Sequence, residues 1–313
     1  VILEALKQLS YVNEKVIYGR NKLEIKKLRN NKIVDKVYFS LKNFLKNKKI
    51  SLLCLATIPT KQYQVLKIIK KNQFNYMFLE KPLTNRLKHS EEIYKKFKNL
   101  KSKIAIDFIF LGLKPFLDFH KLIKKQKILN VKIKWHFKAY HYKNKILNSW
   151  KKKPKYGGGI YLFYIVHMIA YLNFFFGRIL RIKSKKELKN NLNEIYAVNL
   201  SVIYSKNILI NIDFNSNSNL NIHKIEVFTK KKIFKLEKKS FDYVKNFKII
   251  ILDNFKTILK KKSYKQKYLS KDSRVVPVKN LLDNLILKKK PTSTISDAFK
   301  VSKDLQKIIS TKI

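Results

Sequence analysis

Apolar residues in this chain fall into short blocks separated by lysine-rich polar stretches, and the spacing inside the blocks changes once along its length. Up to about Phe110, runs of strand length alternate with runs at helical spacing. The pattern predicts strands over 15–18, 36–39, 51–57, 75–80 and 103–108. Between them it predicts helices over 21–30, 61–71 and 85–99, with a short one ending at Leu45. The run SLLCLAT, 51–57, is apolar almost throughout, which suits a parallel strand buried on both faces. Pro59 and Thr60 then open a helix in which Val65, Ile68 and Ile69 recur at helical spacing. Such alternation predicts an α/β fold: a Rossmann-like, doubly wound parallel sheet over residues 1–112. Val1 to Leu9 reads as the tail of a helix, so the chain is expected to begin inside a βα unit, with the first strand and its glycine-rich loop missing.

Beyond Phe110 the period changes. VKIKWHFKAY, 131–140, alternates as a half-buried strand does. Further strands are predicted over 179–184, 196–204, 208–214, 222–229 and 233–236. Strands that follow one another this directly make an open, mostly antiparallel sheet, so 113–313 is expected to be a second, α+β domain. The end, 278–309, reads as two helices joined by KKKPTSTIS, with Thr294 or Ser296 as the N-cap of the last.

One segment breaks the strand pattern. Three of the six glycines are consecutive, Gly157 to Gly159, and the apolar run 160–176 follows directly. Glycines gather where backbone turns sharply or approaches something closely. The run reads as a buried helix closed by Gly177, with Phe163, Tyr164, His167 and Tyr171 on one face. A plain core helix with one hydrogen-bonded His would read the same way. A membrane span is disfavoured by His167 and Asn173 near its middle and by the absence of a second such segment.

Composition changes the picture in one respect. There are 71 Lys and Arg against 20 Asp and Glu, a formal charge of +51, yet only six of the basic residues are Arg. Recognition of nucleic acid usually enlists Arg for its bidentate geometry. Lysine spread along the whole chain reads as a bias of solvent-facing positions, so no specific nucleic-acid partner is expected, only salt-sensitive attraction to polyanions. The single Cys54 excludes an intrachain disulfide and favours a reducing, cytoplasmic setting. The six histidines show no metal-ligand spacing.

Ligands of doubly wound sheets sit beyond the carboxyl ends of the strands. Two stretches lie there: 54–60, with Ala56, Thr57 and Pro59, and 80–83, Glu80-Lys81-Pro82-Leu83. Pro82 forces Lys81 out of helical geometry and holds it above the sheet.

The ordered set FLEKPLTN, then Trp150 and GGG with His167 eight residues on, then PTSTISDA near the end, resembles the Gfo/Idh/MocA oxidoreductases over nearly the whole chain. ATIPTKQ, 56–62, is similar to the family's Thr-Pro-Pro segment that is followed by a His. The resemblance implies hydride transfer between NAD or NADP and a sugar, cyclitol or sugar nucleotide. It implies that Lys81 contacts nicotinamide and substrate, that His167 handles the substrate's hydroxyl proton, and that the open sheet often forms a homo-oligomer interface. Two departures stand out. The family's Asp four residues before the His is Phe163 here, with Tyr164 and Tyr171 the nearest hydroxyls. No G-x-G-x-x-G occurs. After the second strand of the family's fold, Tyr18-Gly19-Arg20 offers no acid for ribose, so Arg20 points to NADP by a slight margin. Phe163 motivates the alternative of a relative that binds a sugar or nucleotide without turnover.

Overall fold

The computed structural model describes residues 1–19, 21–46, 50–144, 149–242, 244–265 and 271–311. The first part alternates helix and strand as its sequence demands: α1 Ile2–Lys7, β1 Val16–Tyr18, α2 Lys22–Asn30, β2 Lys36–Tyr38, α3 Leu41–Leu45, β3 Ile50–Leu55, α4 Pro59–Ile68, β4 Phe74–Leu79, α5 Leu87–Phe97 and β5 Ile104–Ile106. All pairings here are parallel. They form two pieces, β1–β2 and β3–β4–β5, with no ladder between them. Local chemistry starts the helices where expected. The Asn21 and Ser40 side chains accept from backbone N–H groups at the starts of α2 and α3, and Pro59 occupies the first turn of α4.

The second part adds α6 Lys114–Ile123, β6 Ile128–Lys138, α7 Tyr140–Lys143, α8 Val166–Phe176, β7 Ile179–Lys189, β8 Ile195–Tyr204, β9 Ile208–Asn215, β10 Asn217–Thr229, β11 Lys232–Lys239, β12 Lys248–Asp253 and β13 Ile258–Ser263, then α9 Val275–Ile286 and α10 Ile295–Ser310. The strands form one eight-stranded sheet in the order β13-β12-β11-β10-β6-β9-β8-β7. Every pair is antiparallel except β6–β9, so the sheet is mixed but mostly antiparallel. α6, β12 and β13 are not marked by the sequence pattern, and β7 runs past the predicted end at Ser184 to Lys189.

Residues alternate buried and half-buried along β9, so one face of the sheet is covered. α8 covers it. Pro154–Phe176 is long and apolar enough to cross a membrane, but it lies 67% buried inside the fold. Phe110, Phe116, Trp135, Tyr171, Phe214 and Phe247 form an aromatic core between α8 and the sheet, with ring centroids of neighbouring pairs 5.0–6.5 Å apart. The Tyr171 hydroxyl meets the buried His223 Nε2 of β10 at 3.0 Å, which pairs the hydroxyl and one ring nitrogen inside an otherwise apolar layer, while His223 Nδ1 has no partner among the described residues.

α10 ties the two parts together. Thr294, not Ser296, is its N-cap, in a capping box with Asp297. Ser293 Oγ donates to the Ile106 carbonyl at the end of β5 at 2.6 Å, and Phe299 stacks on Tyr94 of α5. On its other side Arg178 grips the fully buried Asp304 through Nε at 2.7 Å and a second nitrogen at 2.9 Å, and Asn173 donates to the same carboxylate. The end of α8 is thereby locked to a helix that packs on the parallel strands.

Candidate active site

β4 ends at Leu79, and the chain then turns through Glu80 into a cis Lys81–Pro82 bond. The turn is held by a residue that the sequence reading passed over. Gln62 of α4 is fully buried, and its Nε2 lies 2.8, 3.2 and 3.1 Å from the carbonyls of Glu80, Pro82 and Leu83. One amide thus satisfies backbone that turns too sharply to pair with itself. Position 62 closes the ATIPTKQ segment, so the helix that follows β3 clamps the loop that follows β4.

The clamp aims Lys81 across to the other half of the molecule. Its Nζ donates to the Phe163 carbonyl at 2.7 Å and lies 3.9 Å from the centre of the Phe163 ring. Both contacts come from the residue that stands where the resemblance expects an aspartate. The carbonyl is presented by an irregularity: 161–165 is one turn of π-helix, continuing as α8 from Val166. Upstream, the glycines allow the wall to close. A Cβ on Gly158 would stand 2.3 Å from the Trp150 carbonyl oxygen. Gly157 has a left-handed φ of 90° and packs against Pro59 of α4, where a Cβ would come within 2.4 Å of the proline ring. Trp150 meets Phe163 edge-on at 5.8 Å, and Lys151 Nζ lies 5.5 Å from the same ring.

His167, one turn further along α8, is buried with Phe110 edge-on behind it at 5.9 Å. Its Nδ1 has no partner among the described residues. Burial, reinforced by the charge on Lys81, holds the imidazole well below its usual pKa, so it is neutral. Burial also lowers the Lys81 ammonium, to about 8; Glu80 and Asp107 oppose that shift, and Lys151 and Arg274 add to it. That depression amounts to roughly 3 kcal/mol against the charged form. Asp107, just past β5, donates its N–H to the Leu79 carbonyl at 2.8 Å, which sets it beside Glu80. Burial first and Glu80 second push its carboxyl well above the usual range, and Oδ1 has no partner among the described residues. Nothing in the sequence marked Asp107 beyond its place at a strand end.

Lys81 and His167 therefore converge at the carboxyl ends of β4 and β5. Glu80 and Pro82 flank Lys81, Pro59 lies buried under the glycine turn, and Ala56 and Thr57 form the exposed lip beyond β3. Tyr164 is half-buried among Phe137, Phe163 and Phe214 and borders a neighbouring cavity. Arg20 lies outside the described residues. A nicotinamide ring fits the polar groups offered here: a half-buried ammonium and a neutral imidazole, with the Asp107 carboxyl behind them. The sequence holds no G-x-G-x-x-G to open a helix onto a pyrophosphate. Among the described residues no group of three or more His, Cys, Asp or Glu is placed to hold a metal ion.

Residues 3–108 match the family model described as "Oxidoreductase family, NAD-binding Rossmann fold", and residues 121–306 match "Oxidoreductase family, C-terminal alpha/beta domain". No curated protein matches the chain in sequence. Solved structures share its fold at low identity. Levoglucosan dehydrogenase in complex with NADH superposes with a TM-score of 0.79 at 10% identity, over 98% of this chain and 91% of that one. An oxidoreductase from Agrobacterium radiobacter in complex with NAD+, L-tartaric acid and magnesium gives 0.76 at 9% identity, over 99% and 94%. The super-repressor mutant of Gal80p from Saccharomyces cerevisiae gives 0.75 at 15% identity, over 97% and 89%.

Proposed function

The chain belongs to the Gfo/Idh/MocA oxidoreductases, and on that premise we propose that it oxidises or reduces a hydroxyl or carbonyl carbon of a sugar-like substrate with NAD or NADP. The observation that carries this reading is the Lys81 ammonium reaching from the end of β4 to the helix that bears His167. Bound nicotinamide would supply or accept the hydride; everything else falls to side chains. Ala56, Thr57, Pro59 and the Glu80-Lys81-Pro82 turn line its side of the cleft.

Electrostatics redistribute the roles that resemblance assigns. A proton carrier works best with a pKa near the working pH. Lys81, at about 8, meets that condition, whereas His167 is held far below it. In oxidation, the neutral amine of Lys81 takes the hydroxyl proton as the hydride leaves carbon. In reduction, the ammonium returns that proton to the oxygen. His167 stays neutral and hydrogen-bonds the same oxygen. Phe163 shields the ammonium without offering a second titrating group. Arg20, following a strand end without an acid, favours NADP, and the outer face of the open sheet is offered for pairing with a second copy.

A second reading, binding without turnover, rests on Phe163 lying over Lys81. The likeness to a repressor supports it only by showing that the fold is not confined to enzymes. Titrating the full chain with NADH and NADPH, followed by assays on aldoses, cyclitols and their oxidised forms, tests both. Binding plus turnover that Lys81→Met abolishes supports the enzyme. Binding with no turnover on any substrate supports the second reading, and binding of neither nucleotide ends the first.

A further inference from the structure

On the far side of the Tyr161–Ile165 turn lies a cavity of about 540 Å³. It is bounded by the glycine turn, the β7–β8 hairpin and the carboxyl end of α10. Neither Lys81 nor His167 lines it, while Tyr164 does. Its chemistry differs from the rest of this strongly basic chain. Two of the 20 acidic residues, Glu187 and Glu194, lie in its wall, and each is matched by an ammonium. Lys152 Nζ is 2.9 Å from Glu194, and Lys185 Nζ is 3.3 Å from Glu187. The Tyr161 hydroxyl also donates to Glu187. Between these pairs Ile160, Leu162, Ile195 and Ile309 supply apolar surface.

A further group points to a ligand. His141 lines the cavity at 7% exposure, and its Nδ1 has no partner among the described residues. Burial and the neighbouring Lys152 lower its pKa to about 4, so the ring is neutral. Nδ1 itself has no open surface, so the ring's Nε2, which also has no hydrogen bond among the described residues, is the nitrogen a ligand here would meet. Candidate ligands sort by charge. At either pair an anion would have to displace a carboxylate from its ammonium, and a cation the reverse; Lys151, the third lysine of the wall, has its Nζ 5.5 Å from the Phe163 ring and no carboxylate partner among the described residues. A hydroxyl group both donates and accepts, so neighbouring hydroxyls can bridge each ammonium–carboxylate pair without separating it. The apolar residues would take the C–H face of such a molecule.

From this wall we infer that the cavity is a binding site for a neutral polyhydroxylated ligand, a saccharide or cyclitol unit, separate from the Lys81–His167 cleft. His141 supplies a neutral hydrogen-bonding nitrogen, the Lys152–Glu194 and Lys185–Glu187 pairs each engage adjacent hydroxyls, and the isoleucines hold the ring. Occupancy does not require a nicotinamide cofactor.

The test is ligand-observed NMR and calorimetry on the full chain without cofactor, using D-glucose, D-xylose and myo-inositol beside acetate and phosphate. At least one polyol should bind saturably. Glu194→Gln, which unbalances one pair, and Ile309→Trp, which fills the cavity from an exposed helix end, should each weaken it about tenfold or more. The part of the binding that Ile309→Trp removes should survive in full in Lys81→Met. Three results would overturn the inference: no saturable polyol binding; saturation by acetate or phosphate alone; or polyol binding that Ile309→Trp leaves intact and Lys81→Met removes. Because no cofactor or turnover enters the measurement, a failure of hydride transfer would leave these outcomes readable.

Discussion

The two sheets of this protein are built to different standards. β1 and β2 are three residues each, hold no fully buried residue and, among the described residues, pair only with each other. The eight-stranded sheet has strands of up to 13 residues, one covered face and an aromatic layer beneath α8. Between these extremes stand β3 to β5, short but buried, clamped by Gln62 and docked on α10. Stability therefore resides on the side that supplies His167, while the strands nearest the expected adenosine side contribute little. The candidate site straddles that boundary, with one principal group taken from each side.

The contrast can be broken most forcefully in the aromatic core. Phe116→Ala removes a fully buried ring that touches Tyr171, Phe175 and Phe247, and should cost about 3–5 kcal/mol in urea unfolding. Ile17→Ala in the half-buried β1 should cost about 1 kcal/mol or less. Comparable losses at the two sites would refute the contrast. Next in size is Lys81→Met, expected to lower kcat/KM about 10²–10³-fold with the fold intact by circular dichroism. In the parent chain, kcat/KM for oxidation should rise through about pH 8, and that for reduction should fall. Stability carries its own sign. The folded pKa of Lys81 lies below its ordinary 10.5, so the unfolded chain binds more protons between about 8 and 10.5. This residue's share of stability accordingly rises with pH across that window, and Lys81→Met should flatten the rise in midpoint denaturant concentration. Saturating NADPH should then slow amide exchange in β1 and β2 more than in β9 and β10, by up to about 2.7 kcal/mol at a hundredfold excess over Kd. Uniform protection would erase the distinction. Smallest is Thr294→Ala, which removes the capping box of α10 and should cost about 1 kcal/mol by thermal unfolding.

The same contrast decided what could be read beforehand. Apolar runs bounded by Pro and polar turns gave β3, β4 and α4 within a residue or three, although β3 is buried only on the Leu53–Leu55 face and half-buried at Leu52 and Cys54, so the expected burial on both faces is not met there. Alternation gave β8 to β11. β13, Ile258–Ser263, was missed because all six of its residues are exposed and nothing forces alternation on them. β12 was missed although it is apolar, KIIILD, and bounded by Asn246 and Asp253-Asn254, since a short apolar run has no distinctive period. At the site, Lys81 and His167 were legible through their motifs, and their convergence followed from topology. Gln62 and Asp107 were not, because a clamp on carbonyls and a buried orphan oxygen are properties of three-dimensional placement. The proton-handling proposed for Lys81 in place of His167 likewise rests on burial, which sequence does not display.

The single turn of π-helix has a consequence for how the site can change. An α-helix rotates about 100° for each residue added, and Tyr161–Ile165 carries the wider winding that accommodates one residue more than a regular turn. The bearing of every side chain upstream relative to His167 is thus fixed by a count. Deleting one residue such as Leu162 would alter composition hardly at all, yet rewinding the segment as ordinary α-helix would swing the glycine turn and its flanks around the axis. This wall is therefore more tolerant of a changed letter than of a changed length.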